Sequence, residues 1–397
     1  MKKKTKTGLL IGIIILICIL IVALVLIFTL GRSDKHEHTL THVEPIAATC
    51  TDDGIVEHWT CSECDKNFAD AEASEEITDL VVPALGHNYV DGFCTRCGKE
   101  LVPTDSGYFT FTALDDGGYA VAWDQTTELP SEVVIPREYN GKPVVHIDEM
   151  AFDECTGLKS VIIPSSVASI GRAAFDSCDS LTSVTIPSSV TSIGDYAFYE
   201  CRSLTGVTIP SSVTSIGASA FSVCTSLTSV AIPSSVTLIG EGIVAACDSL
   251  TSLTVAEGNT VYHSADNCII ETASKTLVAG CNVSVIPADG SVTSIGEYAF
   301  YVCGSLMSVT IPSSVTSIGE CAFCDCTSLT SVTIPSSVTS IGNHAFFSCY
   351  SLTSVIFENT NGWSVGGEPI SAEDLSDPVA AVEYLADIYD EGTWTRE

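Results

Sequence analysis

"IPSSVTSIG" occupies residues 186–194. The same nine residues recur at 209–217, 311–319 and 334–342, and single-residue variants stand at 163–171 and 232–240. Aligning the copies extends the phrase to a unit of 23 residues, "IPSSVTSIGDYAFYECRSLTGVT" (186–208). A cysteine keeps the same spacing at 155, 178, 201, 224 and 247, and again at 303, 326 and 349. Self-similarity at a fixed period of this length is the mark of a solenoid, in which each unit is one coil that cannot bury its own apolar face and shares a core with its neighbours.

The unit can be read residue by residue. In "LTSVTI" (181–186), Leu181, Val184 and Ile186 point inward, while Ser183 and Thr185 point outward, because side chains alternate along a strand. Pro187 ends the strand, having no N–H for the ladder. Val190 and Ile193 anchor a second short extended stretch, and Gly194 permits a tight turn. "DYAFYEC" (195–201) reads as a short helical turn that buries Ala197, Phe198 and Cys201. The expected fold is therefore a repeat solenoid, mixed α/β and β-rich. The period falls in the 20–29-residue range of leucine-rich repeats. The pattern L-x-x-V-x-I-P-x-S-V-x-x-I-G-x-x-A-F-x-x-C, kept at 181–201, 204–224, 306–326 and 329–349, resembles the BspA-type leucine-rich repeat of bacterial surface proteins. The resemblance spans roughly residues 140–357. It implies adhesion to host proteins, extracellular matrix or other cells, and fixes no ligand or site residue.

The array, residues 151–357, has two irregularities. The coil ending at Cys247 carries "EGIVAAC" where "AF" is expected, which suggests a looser coil or a bend. Residues 254–291 break the period. There "NCIIE" and "TLVAG" read as hairpin strands about "TASK", an elaboration of the coil or part of a binding face. Residues 101–150, with strands about "DDGG", form the expected N-terminal cap. Residues 358–397, with ten acidic residues and one basic residue, Arg396, form the expected C-terminal cap, an acidic helix blocking end-to-end stacking.

The eight repeat cysteines read as buried free thiols acting as small apolar side chains. Cys321 and Cys324 are additional and could oxidise; Cys268 and Cys281 could pair across the hairpin. Residues 31–100 differ in character. "WTCSECDKNF" and "GFCTRCGK" supply two C-x-x-C knuckles, Cys61/Cys64 and Cys94/Cys97, with 29 residues between them. Four thiolates suit tetrahedral zinc, as in a zinc ribbon. A second grouping takes Cys50, Cys61, Cys64 and one of His38 or His42, leaving His87, Cys94 and Cys97 for another site. Structural zinc is the expectation, with disulfides as the competing chemistry. His58 reads as a surface residue rather than a ligand, and His146, His263 and His344 as structural or solvent-facing.

At the N-terminus, four lysines within residues 1–8 precede an uncharged, nearly all-apolar run from Leu9 to Leu30. Its 22 residues exceed the roughly 20 that span a bilayer. Lysines on the cytoplasmic side place the rest of the chain outside. The segment reads as an uncleaved signal anchor with a cytoplasmic tail of eight residues, giving a single-pass membrane protein.

The net charge is −33, which disfavours nucleic-acid and anionic-membrane-surface partners. No G-x-S-x-G elbow, P-loop or H-E-x-x-H motif occurs, and the acidic pairs Asp52/Asp53, Asp115/Asp116 and Glu373/Asp374 read as solvated turns and a helix start. The chain is therefore not read as an enzyme. The expected role is binding at the cell surface, to host or neighbouring-cell proteins, matrix proteins or glycans. The expected face is a wall of small hydroxyls: Ser183, Thr185, Thr208, Ser229, Ser252, Thr254, Ser308, Thr310, Ser331 and Thr333. Tyr199 and Tyr301 lie among more varied residues beside the turns. The competing reading is a structural or self-associating envelope protein without a foreign ligand.

Overall fold

A computed structural model describes residues 38–49, 54–78, 80–82, 89–90, 93–94, 96–97, 102–388 and 392–396, without the side chains of 89–90, 93–94 and 387–388. The chain divides into two compact units, Met1–Leu101 and Val102–Glu397. The apolar run 9–30 lies outside the described residues. Among the described residues, no helix is long and apolar enough to cross a membrane.

The second unit is the solenoid, and each regular coil has three sides. The first is the expected strand, as at Ser183–Thr185 and Ser229–Ile232, with Val184 and Val230 buried and the flanking residues exposed. It pairs in parallel with the neighbouring coil in strict 23-residue register, Val161 against Val184 and Val230 against Leu253. The ladder on this side is broken: no strand forms over 206–209 or 308–311. The steadier ladder is on the second side. There Ile147, Ile170, Ile193, Ile216 and Ile239 stand in consecutive parallel register, as do Ile295, Ile318 and Ile341.

The third side differs from the helical turn that the sequence suggests. Within "DYAFYEC", amide protons reach across to the next coil: Tyr196, Phe198 and Glu200 donate to the carbonyls of Ala218, Ala220 and Ser222 at 2.8–3.0 Å. Two residues per coil, four apart, take left-handed backbone to allow this. They are Tyr196 (φ 57°) and Glu200 (φ 56°), then Ser219 and Val223, and later Tyr298 and Val302. A helix would bond within the coil and leave the coil-to-coil direction unpaired. With only seven residues in the segment, nucleation would also be unfavourable.

The stacked core is built from identical rungs. Phe152, Phe175, Phe198 and Phe221 stack nearly parallel at 5.1–5.5 Å, and Phe300, Phe323 and Phe346 repeat the column at 5.1 Å. In the coil at Cys247, Ile243 and Val244 replace the Ala-Phe pair and are both buried. That coil is not loosened: Ser219, Phe221 and Val223 still donate to it, and Gly242 takes its left-handed position. The glycine closing each phrase is needed for closeness rather than for an unusual φ. A Cβ on Gly194 would lie 2.7 Å from the Arg172 amide nitrogen of the coil before.

The interruption is a three-stranded antiparallel meander, Tyr262–Ala265, Cys268–Glu271 and Thr276–Ala279, which contains the expected hairpin. Its last strand rejoins the parallel ladder, Leu277 opposite Ile295. The ladder edge left at Leu238–Ile239 is met by a side chain, the Tyr262 hydroxyl accepting from the Ile239 amide at 3.2 Å. Cys268 and Cys281 are both free.

At the N-terminal end, Phe109–Ala113 and Tyr119–Trp123 pair as an antiparallel hairpin. At the C-terminal end, strand Trp394–Arg396 runs antiparallel to Ser340–Ile341 and closes the second ladder. Trp363 and Trp394 are buried behind it with Phe357. The helical part is short, Ala372–Ser376 and Ala380–Val382 followed by a π turn over Glu383–Ile388.

The repeat cysteines are buried and free, and they do more than fill space. Cys178, Cys201, Cys224, Cys247, Cys326 and Cys349 each direct the thiol at the phenylalanine carbonyl of the preceding coil, at 3.1–3.2 Å. Burial pushes Cys155, Cys224 and Cys349 up to about 12, from an ordinary value of 9.0. The folded state holds these protons more tightly than the unfolded chain does. Its advantage is complete below about pH 9 and is lost as pH climbs toward 12. The melting temperature should therefore fall steeply above pH 9. Cys224→Ala should flatten that fall while costing about 1 kcal/mol at neutral pH, and a melting temperature independent of pH from 8 to 11 would contradict the assignment. Deleting residues 358–397 should expose the ladder edge at Ser340–Ile341 and make the array aggregate in sedimentation; a soluble, cooperatively melting monomer would refute the capping role.

Candidate functional site

Two sides of the solenoid carry polar and aromatic side chains at the surface. On the first side the hydroxyls fall into two classes. Thr182, Thr228, Thr251, Thr330 and Thr353 donate to a backbone carbonyl 23 residues earlier, at 3.1–3.3 Å. They hold the coils together. The next residues along outward are Ser183, Thr185, Ser229, Thr254, Ser331 and Thr333, all exposed. Among the described residues, no hydrogen bond engages the hydroxyls of these six. Ser252 is half-buried. Thr208, Ser308 and Thr310 are exposed but lie where the strand lapses, so the row of hydroxyls is discontinuous as a sheet.

Beside it, on the third side, ring pairs three residues apart touch. Tyr196 meets Tyr199 at 5.6 Å, Tyr298 meets Tyr301 at 5.4 Å, and His344 meets Phe347 at 5.4 Å. Tyr199 and Tyr301 are half-buried, and burial raises both hydroxyls' pKa values. Acidic groups run along the same side. Burial, and then the neighbouring Glu297, push Glu241 up. Sequence reasoning named some of these tyrosines but not their pairing, which follows from the left-handed turn.

The first unit holds a compact donor set. Strands Leu40–Val43 and His58–Cys61 pair antiparallel, Leu40 opposite Cys61, which brings His38, two residues before the first strand, to the knuckle. His38, Cys61 and Cys64 place their ligand atoms within 4.8 Å of one another, and Cys64 Sγ lies 3.6 Å from His38 Nδ1. The knuckle turns through Asp65 (φ 56°), whose amide bonds to the Cys61 carbonyl at 3.0 Å. Burial raises the Cys64 thiol, and the Lys66 amide hydrogen bond opposes the rise. Two sulfurs and an imidazole at this spacing fit a tetrahedral d¹⁰ cation such as zinc.

Other sequence candidates are placed elsewhere. His42 does not join the set; it contacts Glu57 at 2.9 Å and stacks on Trp59 at 4.6 Å. Cys97 is exposed. Cys50, His87 and the Cys94 side chain lie outside the described residues. His58, expected at the surface, is buried with Nδ1 2.9 Å from the Val56 carbonyl, a contact that satisfies the ring inside the module. Asp116 accepts from Gly118 in the hairpin turn, and Glu373 and Asp374 open a helix capped by Ser371, so neither acidic pair assembles a catalytic dyad. Asp52 and Asp53 lie outside the described residues.

The BspA type leucine-rich repeat region matches in six copies over residues 145–268 and 271–365, more than half of the chain. Among solved structures, a leucine-rich repeat protein from Eubacterium ventriosum is 26% identical, with a TM-score of 0.51 over 64% of this chain and 70% of that one. One from Bacteroides ovatus is 26% identical, with a TM-score of 0.48 over 65% and 71%. A leucine-rich cell surface protein from Faecalibacterium prausnitzii is 24% identical, with a TM-score of 0.41 over 67% and 97%. No curated protein matches significantly.

Proposed function

We propose that this chain, which belongs to the BspA-type leucine-rich repeat family, is a cell-surface adhesion or recognition protein. In this reading residues 9–30 anchor it in the membrane, and the solenoid faces outward to bind proteins or glycans. The observation that carries the reading is the division of labour among the hydroxyls. One row is consumed in coil-to-coil bonds, and the adjacent row, at the repeat spacing of a parallel ladder, makes no internal hydrogen bond. Strand rungs lie about 4.8 Å apart, so this row offers donors and acceptors at intervals that suit a polar, repetitive ligand such as a glycan. The tyrosine pairs beside it are better suited to protein contacts, since aromatic residues are enriched at binding hot spots.

The self-associating envelope reading is less well supported. Both ends of the parallel ladder give way to antiparallel strands, the Phe109–Trp123 hairpin and the Trp394 strand, which interrupt the parallel register that end-to-end growth would need. A binding screen of residues 36–397 against matrix proteins, mucins and glycans, with sedimentation of the same sample, tests the choice. A saturable, competable ligand is expected, and Ser229→Ala with Ser331→Ala should weaken a glycan at least several-fold. Concentration-dependent self-association with no ligand would overturn the proposal.

For the first unit the proposal is a structural zinc held by His38, Cys61 and Cys64, with Cys50 as the fourth ligand that the sequence supplies. A closed site of this kind would stabilise a small module that has little core of its own. One equivalent of zinc should co-purify with residues 36–100. His38→Ala should lose it, and His42→Ala should retain it; equal retention in both variants, or disulfides in place of metal, would reject the ligand set.

A further inference from the structure

Seven coils place side chains at the two positions where the third side turns, three residues apart. In most coils the pair is aromatic or small. In the coil of residues 321–326 it is two cysteines, standing between the Tyr298/Tyr301 pair of the coil before and the His344/Phe347 pair of the coil after. The backbone closes around them, the Cys324 amide donating to the Cys321 carbonyl at 3.2 Å. The two thiols lie close enough to affect each other's protonation, and the Tyr298 hydroxyl acts on Cys321 in the same way. Both thiols are free and lie just beneath the surface, 8% and 5% exposed. The third nearby cysteine is committed elsewhere: Cys326 directs its thiol at the Phe300 carbonyl at 3.2 Å, within the cysteine ladder.

We propose that Cys321 and Cys324 are an oxidisable dithiol, a modification site that low-molecular-weight disulfides convert to a disulfide within one coil. The geometry permits it. Residues at the ends of a four-residue turn have Cα atoms less than about 7 Å apart, within reach of the usual disulfide span of about 4.4–6.8 Å. The ladder cysteines stand one to a coil, with no second thiol at the other end of the turn, and six of the eight are turned toward a carbonyl of the coil before.

The roles of the two thiols differ. Burial raises Cys321, but the contacts to Cys324 and Tyr298 pull it back; burial and the Cys321 and Asp325 charges all push Cys324 well above the ordinary range. Cys321 is therefore the attacking thiol. It loses its proton to solvent, and its sulfur displaces one thiolate from the small disulfide, forming a mixed disulfide. Cys324 then loses its proton and attacks the Cys321 sulfur, releasing the second thiolate. Two protein thiols are oxidised and one external disulfide is reduced to two thiols. Since the thiolate is the reactive form, the rate should rise about tenfold per pH unit between pH 7 and 9. Closure removes the sulfur that meets the Tyr298 hydroxyl as a thiol and the Cys324 thiol that lies 3.6 Å from Asp325 Oδ2. The hydrogen-bonding character of the aromatic side thus depends on its oxidation state.

The test uses the full chain, incubated with oxidised glutathione at pH 8, then alkylated and peptide-mapped. The expected result is a Cys321–Cys324 bond as the sole disulfide within residues 151–357, with ladder cysteines alkylated only after unfolding. Cys324→Ser should stop at a glutathione adduct on Cys321, whereas Cys321→Ser should leave Cys324 unmodified. Recovery of both cysteines as alkylated thiols in the wild-type chain, a bond to Cys326, or an adduct on Cys324 in Cys321→Ser would each overturn the proposal.

Discussion

Backbone polar groups that a coil does not pair within itself find their partners one coil away, 22 or 23 residues along the chain. The strands do this in the ordinary way, rung against rung. The third side does it by placing two residues per coil in left-handed backbone, so that alternate amides face the next coil. The cost of holding Tyr196, Val223 or Val302 there, of order 1 kcal/mol or more each, is offset by removing unpaired amides from the interior. The near-identity of the repeats follows from the same demand. A Cβ at Gly194 would strike the coil before, and the Cys201 thiol fills a buried apolar slot while donating to the Phe175 carbonyl.

That constraint explains what the sequence made legible. Period, coil boundaries, buried positions and the hairpins at "DDGG" and "TASK" all follow from apolar spacing and turn residues. The third side did not, because Ala197, Phe198 and Cys201 have helix-like spacing, and nothing local announces that Tyr196 and Glu200 will turn left-handed. That preference comes from the neighbouring coil, a contact 22 residues away. The same limit applies to the first unit. Two knuckles were evident, but the choice of His38 over His42 depends on strand pairing, which sets His42 opposite Trp59 and beside Glu57.

Interrupting such an array is hard, because any break leaves an edge. Residues 254–291 show how this chain manages it. Asn259 donates to the Pro233 and Val236 carbonyls while its own carbonyl takes the Val261 and Tyr262 amides, and Tyr262 meets the stranded amide of Ile239. The insertion is thus a cap and a restart in one, and the phenylalanine column is divided between two core clusters on either side of it. Its conserved-looking neighbours, the regular coils, need no such side-chain substitutes.

A chain so constrained has few positions at which function can be written. Buried positions are fixed by stacking, and the threonines that begin each strand are fixed by their carbonyl partners. What remains are the outward residues of the first side and the turn pairs of the third. These are where the coils differ: Ser183/Thr185 against Gly206/Thr208, and Tyr298/Tyr301 against Cys321/Cys324 and His344/Phe347. Variation concentrated at positions that stacking leaves free, with the Ile243/Val244 pair as a buried exception, is what a recognition surface on a repeat scaffold requires. The scaffold sets a fixed spacing, and specificity arises from the side chains it leaves unspent.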